Sequence, residues 1–86
     1  MPRIWRRGDP LIPKGAVYIG RGSKYGNRFP ITAQHDRNKV CDMYEEEKLA
    51  DPEFITMVKQ ELYGKDLVCY CAPLRCHGDF LIRIAN

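Results

Sequence analysis

The sequence predicts a small single-domain α/β fold in which two adjacent, parallel strands are packed by helices, in the order β-α-α-β-α. Two short runs rich in β-branched, aromatic and apolar residues, 16–19 and 66–71, have the composition of strands. The stretch between them carries the start signals of two helices, and two intervening helices favour a parallel strand pair. With 86 residues, the chain is long enough for one domain, which we expect to span 1–86.

The first strand that the composition predicts is 16–19. Ile4 and Trp5 are candidates for an additional N-terminal strand. The passage 9–15 that follows cannot be helical, because its two prolines lack a backbone donor and bias the residues before them to extended geometry. Strand 16–19 then ends at Gly20, where a long glycine-containing loop begins.

Two helices precede the second strand. Asp36 is a candidate N-cap for a helix over 37–49, and the Asp51-Pro52-Glu53 sequence is a second start signal for a helix that runs to Tyr63. Gly64 stands where a residue of left-handed conformation ends a helix. We expect the first helix to bury Val40, Met43, Tyr44 and Leu49, and the second to bury Phe54, Val58 and Leu62 with Ile55 beside them.

The second strand, 66–71, is followed by a last helix that opens at Gly78 or Asp79. Its inward-facing residues are expected to be Phe80, Leu81 and Ile84, with Ile82 beside them. Both predicted strands then end at the same edge of the sheet, which is where open α/β sheets bind ligands. Two loops leave those ends. Loop 20–28 contains glycines and basic residues, and loop 72–79 contains a cysteine, a histidine and an aspartate.

Composition and charge narrow the function classes. Hydrophobic residues make up 44% of the chain, which is typical of a folded domain, and no segment has the length of a membrane span or the pattern of a signal peptide. We therefore expect a cytoplasmic protein without a membrane partner, whose cysteines are thiols or metal ligands. Residues 1–40 hold nine Lys and Arg against two acids, and 41–86 hold five against nine. This basic half is either a solvated face or a surface for phosphates or nucleic acid.

The glycine-containing loop is a candidate binding segment. Its glycines permit close backbone approach, and its polar and basic side chains are donors of the kind that hold phosphate or carboxylate. Tyr25 is the loop's candidate for stacking on a base. The expected ligand-binding residues are Gly20, Arg21, Gly22, Ser23, Lys24, Tyr25, Gly26, Asn27 and Arg28, joined by Cys71 at the end of the second strand.

The cysteine-rich segment allows three interpretations. Cys69, Cys71, Cys76 and His77 form a four-ligand zinc set, although their spacing departs from the usual pairs of cysteines. Cys76, at the start of the last helix and beside Arg75 and His77, is alternatively a reactive thiol, with His77 and Asp79 completing a catalytic group. In the third interpretation Cys69 is a small core residue and Asp79 caps the helix. No cofactor is required, and zinc is the only metal that the residues suggest.

Two blocks of the sequence resemble a known family. YIGRGSKYGNRFPI (18–31) and GKDLVCYCAPLRCHGDFL (64–81) are similar to the domain of unknown function family 4326, which occurs in bacteria and many phages. The resemblance implies signature positions at Gly20, Arg21, Gly26, Asn27, Phe29, Cys69, Cys71, Pro73, Cys76, His77, Gly78 and Asp79. Arg28 and Tyr70 depart from it, standing where the family often has proline and tryptophan. The resemblance implies no established activity.

Two functional hypotheses follow. In the first, the chain binds a nucleotide-like or phosphorylated small molecule between loop 20–28 and the residues 76–79, with thiol- or histidine-assisted chemistry on it, in nucleotide or nucleic-acid metabolism or in phage–host conflict. In the second, it is a non-catalytic module that holds zinc or contacts nucleic acid or a protein. A core of this size is also compatible with a homodimer.

Overall fold

The structure, a computed structural model, describes residues 2–71 and 74–86. Within these ranges the chain forms three strands and three helices: β1 (Ile4–Arg6), β2 (Val17–Tyr18), α1 (Arg37–Leu49), α2 (Pro52–Glu61), β3 (Leu67–Cys69) and α3 (His77–Ala85). The predicted mixed α/β fold is confirmed, and the candidate N-terminal strand is part of it. Pro73, one of the residues that carry the family resemblance, lies outside the described residues.

The sheet has the order β1-β3-β2, and both strand pairs are parallel. β3 is therefore the central strand, and its three residues are all buried. The predicted adjacency and direction of β2 and β3 are confirmed, but both strands are shorter than predicted. β3 ends at Cys69, whose carbonyl accepts from the N–H of Arg7, and the predicted strand residues Tyr70 and Cys71 lie beyond its end.

The helices begin where their caps predict. The Asp36 carboxylate accepts from the N–H of Lys39 at 2.8 Å, and that of Asp51 accepts from the N–H of Phe54 at 3.1 Å. These bonds satisfy backbone donors that a helix start leaves without partners. Gly64 has a φ of 70°, as expected after a helix, although α2 itself ends at Glu61 rather than at Tyr63.

The core lies between the sheet and the helices. Its fully buried side chains are Ile19, Tyr44, Val58, Leu62, Leu67, Cys69, Phe80 and Leu81. On α1 the buried face comprises Val40, Cys41 and Tyr44, so Cys41 takes a place that we assigned to Met43, which is half-buried. Leu49 is 65% exposed, because it is the last residue of α1, where the chain turns towards α2.

The described helices are short. The longest, α1, has 13 residues, and none of the three has the length and apolar character needed to cross a bilayer.

Candidate ligand-binding pocket

A cavity of about 220 Å³ lies at the carboxyl edge of the sheet, where β2 and β3 end and where α1 and α3 begin. The loops that follow β2 and β3 contact the same cavity, as the parallel topology predicts. Its lining residues are Gly20, Arg21, Asn27, Phe29, Ile31, Arg37, Val40, Cys41, Cys69, Tyr70, Cys71, Arg75, Cys76 and His77.

The glycine-containing loop closes on itself. The N–H and the hydroxyl of Ser23 both donate to the carbonyl of Gly20, at 3.1 and 2.7 Å, and the N–H of Gly26 donates to the carbonyl of Ser23 at 3.1 Å. A Cβ at Gly26 would lie only 2.9 Å from the Gly20 carbonyl oxygen, so the turn requires glycine there. Gly22, with a φ of 93°, completes the turn. Gly22, Ser23 and Gly26 thus shape the loop and do not line the cavity.

Two of the loop's cations are already paired. Lys24 contacts Glu61 at 2.5 Å, and Arg28 contacts Glu47 at 2.5 Å. The hydrogen bond from Arg28 lowers the pKa of the Glu47 carboxyl, and that from Lys24 lowers the pKa of Glu61. Arg21 is different, because it is exposed, lines the cavity and takes part in none of the ion pairs between described residues.

Tyr25 does not form the stacking surface that the sequence suggested. Its side chain is 5% exposed and belongs to the core. The hydroxyl donates to Glu61 at 2.6 Å, and burial together with this bond raises the pKa of Tyr25 to about 12. The Tyr25 carbonyl accepts from the buried hydroxyl of Tyr44 at 2.8 Å. Tyr25 therefore anchors the loop to the helices and leaves the cavity to its neighbours.

Asn27 lines the cavity, but its side chain is committed to the backbone. Its Nδ2 donates to the carbonyl of Val40 at 3.1 Å, and its Oδ1 accepts from the N–H of Phe29 at 2.9 Å. These two bonds fasten the chain after the loop to α1, and so fix the positions of Phe29 and Ile31 in the wall.

Cys76 is the N-cap residue of α3, which begins at His77 rather than at the predicted Gly78 or Asp79. The Cys76 sulfur accepts from the N–H of Gly78 at 3.3 Å, and the carboxylate of Asp79 accepts from the N–H of Cys76 at 3.3 Å. This reciprocal arrangement is a capping box. Asp79 thus has the capping role that we weighed against a catalytic one, and it does not line the cavity.

The Cys76 thiol is held in its protonated form. Its sulfur lies 3.2 Å from that of Cys69, and the residue is 4% exposed. The contact with Cys69, followed by burial, raises the pKa of Cys76 well above its ordinary value. The position at a helix start led us to expect a stabilised thiolate, but the contact with Cys69 and the burial outweigh that effect. Both effects favour the thiol of Cys76 over its thiolate.

His77 forms the floor of the cavity as a neutral side chain. Its Nε2 lies 2.7 Å from the carbonyl oxygen of Ile19, so this nitrogen carries the proton and donates it to the carbonyl. Burial lowers the pKa of His77, and the ring packs edge-on against Tyr44 with centroids 5.0 Å apart. The other ring nitrogen, Nδ1, is then a hydrogen-bond acceptor.

Three polar or reactive residues of the wall were not among the predicted site residues: Arg37, Cys41 and Arg75. Arg37 and Cys41 are four residues apart, on one face of α1, and burial raises the pKa of the Cys41 thiol. Their spacing of four residues could have shown that Arg37 and Cys41 share a face of α1. We missed them because we predicted the buried face of this helix from Val40, Met43, Tyr44 and Leu49 alone.

The guanidinium of Arg75 is paired with acidic residues of α1. Its guanidinium contacts Asp42 and Glu45, each at 2.9 Å, and Asn38 at 3.2 Å. Glu45 is shared with Arg83 at 2.8 Å. Arg37 donates to the Arg75 carbonyl at 3.4 Å but, like Arg21, takes part in no ion pair between described residues.

The proposed zinc ligands do not converge. In residues 2–71 and 74–86, no group of three or more His, Cys, Asp or Glu side chains is arranged to hold a metal ion. Cys69 and Cys76 lie together, but Nε2 of His77 is directed at the Ile19 carbonyl. All four cysteines are thiols.

The class that fold and site define is a small α/β domain with a three-stranded parallel sheet and an arginine-lined pocket at its carboxyl edge. A family model, the domain of unknown function DUF4326, matches residues 4–86, and the chain belongs to this family. No significant match to a curated protein or to a solved structure was found.

Proposed function

We propose that the pocket binds a nucleotide-like or other phosphorylated small molecule. The observation that carries this proposal is the charge of the wall: its described residues include three arginines and no carboxylate. Arg75 is neutralised by Asp42 and Glu45, whereas Arg21 and Arg37 have no carboxylate partner among the described residues. Two arginines without a carboxylate partner in the wall of one small cavity favour an anion, because the planar donor edge of a guanidinium suits phosphate.

The rest of the wall suits a planar, apolar group. Phe29, Ile31 and Val40 supply apolar surface, Tyr70 supplies a partly exposed ring, and the thiols of Cys41 and Cys71 are soft and weakly polar. The cavity of about 220 Å³ is below the roughly 300–1,000 Å³ of pockets that enclose larger ligands. A base or sugar inside, with a phosphate at the arginines of the rim, fits this combination of size and chemistry.

The floor supplies the specific contacts. Nδ1 of His77, the ring nitrogen that does not bond Ile19, would accept from an N–H or O–H group of the ligand, and Cys71 lines the same cavity. Cys76 and Asp79 cap the N-terminus of α3, and the proposal gives them no contact with the ligand. Any chemistry on the ligand then falls to His77, whose neutral Nδ1 is able to take a proton. Such a ligand fits a cytoplasmic role in nucleotide or nucleic-acid metabolism, or in conflict between a phage and its host.

Calorimetric titration with a panel of small molecules tests the proposal. The panel comprises orthophosphate, ribose 5-phosphate, nucleosides and nucleoside 5′-mono- and diphosphates. We expect nucleotides to bind and the matching nucleosides to bind at least about tenfold more weakly, because charge-assisted hydrogen bonds contribute roughly 1.5–3 kcal/mol each. Arg21→Ala and Arg37→Ala should each weaken nucleotide binding by about tenfold or more for the same reason.

Lys65→Ala is the matched control, because Lys65 is an exposed cation that precedes β3, at the opposite edge of the sheet. It should leave binding unchanged, and all three variants should keep the parent's melting temperature. Unaltered nucleotide affinity in both arginine variants would contradict the proposal, as would a panel in which nothing binds. About one equivalent of zinc per purified chain would favour the metal-binding alternative instead.

A further inference from the structure

A second group of side chains adjoins the pocket at the same edge of the sheet. Because β1 and β3 are neighbours in the sheet, the residues that directly follow them, Arg7 and Tyr70, leave it at the same edge. Arg21, in the loop after β2, lines the same cavity as Tyr70. The guanidinium of Arg7 lies 5.0 Å from the ring centre of Tyr18 and 5.3 Å from that of Tyr70. The two rings meet edge-on, with centroids 6.3 Å apart. We call Arg7, Tyr18 and Tyr70 the edge cluster.

The edge cluster is continuous with the pocket. Tyr70 belongs to both, since it lines the cavity and is 60% exposed. The hydroxyl of Tyr18 donates to the carbonyl of Arg21 at 3.1 Å, and the Tyr18 side chain covers Gly20, where any Cβ would collide with it. A path of positive and aromatic groups therefore leads from Arg21 in the pocket to Arg7 outside it.

The positive charge of Arg7 has no ion-pair partner among the described residues. Lys24 and Arg28, from the basic half of the sequence, are paired with acids of the helices. Arg7 takes part in none of the ion pairs between described residues, and its only described side-chain partners are the two rings. A guanidinium stacked on aromatic rings keeps its N–H donors at the rim, where they remain free to contact a phosphate.

We infer that the ligand of the pocket is one nucleotide unit of a single-stranded nucleic acid, and that the edge cluster holds the neighbouring unit. The inference rests on the proposed function, because it names the molecule that carries the nucleotide. Arg7 contacts the adjacent phosphate and Tyr70 stacks on the adjacent base, a combination of cation and exposed ring that single-strand binding sites use. A nucleotide inside the cavity is unstacked and unpaired, which a single strand permits at less cost than a duplex.

Competition measured by fluorescence anisotropy tests the inference. The probes are a labelled single-stranded hexanucleotide as DNA and as RNA, the same DNA sequence as a duplex, and an unlabelled nucleoside 5′-monophosphate. We expect the single strand to bind at least about tenfold more tightly than the mononucleotide, because the edge cluster adds the stacking of a second base and the contact to a second phosphate. The duplex should bind more weakly than the single strand.

Arg7→Ala separates the two sites. It should remove most of the advantage of the single strand, leave mononucleotide affinity unchanged, and flatten the dependence of log Kd on log salt by about 0.7 for one lost phosphate contact. Arg21→Ala should weaken both ligands, and Lys65→Ala neither. Arg7 is exposed and outside the core, so the thermal melt of Arg7→Ala should match that of the parent.

The outcomes distinguish this inference from the function on which it rests. If the mononucleotide binds through Arg21 but the single strand gains nothing, or if Arg7→Ala changes both affinities equally, the inference is wrong and the proposed function stands. If neither ligand binds, or if Arg21→Ala alters neither affinity, both are overturned. Tighter binding of the duplex would overturn the inference in favour of a groove contact.

Discussion

The glycine-containing loop, 20–28, and the segment around α3's start, 75–79, reach the same pocket but are held in opposite ways. The loop is held mainly by surface ion pairs, at Lys24 and Arg28, and by the buried side chain of Tyr25. The α3 start is built into the core, with Cys76 4% and His77 7% exposed. In both segments most of the polar or reactive groups serve the fold. In the proposed function, few groups of each segment contact the ligand, chiefly Arg21 from the loop and Nδ1 of His77 from the helix start.

Of the variants that test this difference between the two segments, Gly26→Ala should have the largest effect on stability and on nucleotide affinity. The added Cβ would lie 2.9 Å from the backbone carbonyl of Gly20, so the loop has to shift, at a cost of roughly 1–3 kcal/mol in the free energy of unfolding. Since Arg21 follows Gly20, nucleotide affinity should also fall by at least about tenfold, by the loss of a charge-assisted contact. Denaturant unfolding and calorimetric titration of one preparation measure both effects.

Ser23→Ala is the control for Gly26→Ala, because it deletes one hydroxyl bond within the loop without adding an atom. It should cost less stability and leave Arg21 in place. A Gly26→Ala protein as stable as its parent would mean that the turn is looser than its hydrogen bonds indicate.

The second test uses pH, because the two segments should affect the free energy of unfolding in different pH ranges. Burial lowers the pKa of His77 below its ordinary 6.5, so the unfolded chain binds more protons than the folded one between these two pKa values. The free energy of unfolding should therefore be fully retained above about pH 6.5 and fall as the pH drops below it, by at most about 1.4 kcal/mol per pH unit. Denaturant unfolding at a series of pH values measures the slope.

His77→Gln should be less stable than the parent but should lack this part of the slope, and His35→Gln should keep it. The loop responds at lower pH, because Arg28 and Lys24 hold the pKa of Glu47 and Glu61 below 4.5. The contributions of Glu47 and Glu61 to the free energy of unfolding should be retained above about pH 4.5 and lost as the pH falls below it. Identical slopes below about pH 6.5 in the parent and in His77→Gln would show that His77 is not held neutral by the fold.

The smallest expected effect is that of Arg75→Met. The variant removes a partly exposed guanidinium from two carboxylates, and because solvent screens such pairs the loss of stability should be about 1 kcal/mol or less. The loss of this cation from the cavity wall, with Asp42 left without its partner, should then weaken nucleotide binding several-fold by repulsion. Arg83→Met, which also removes a partner of Glu45 but does not line the pocket, should leave affinity unchanged. Equal affinities in the two variants would show that the network does not influence the pocket.

The features that the sequence could predict are those with local causes. Asp36 and Asp51 start helices because each carboxylate reaches a backbone donor three residues ahead, and a connection through two helices makes the joined strands parallel. Parallel strands end at one edge, and for that reason the position of the pocket followed from the fold class alone.

The features that the sequence could not predict depend on contacts between distant residues. Tyr25 is a core residue because its hydroxyl reaches Glu61, 36 positions away, and Cys76 is protonated because Cys69 lies against it. Arg75 and Arg21 are both arginines at one pocket, and only the acids that α1 brings to Arg75 make them different. Residue type and spacing do not contain this information.

The central position of β3 has a kinetic consequence. β3 pairs with β1 across more than sixty residues, since the N–H of Leu67 donates to the carbonyl of Arg3, and it pairs with β2 across about fifty. Such long-range pairs close late in folding, because the entropy of loop closure is lost before the contacts form. Arg21, Tyr70 and His77 therefore come together only when the whole chain has folded. In the proposed function, nucleotide affinity would therefore be a direct readout of complete folding, and a bound nucleotide would raise the stability of every element at once.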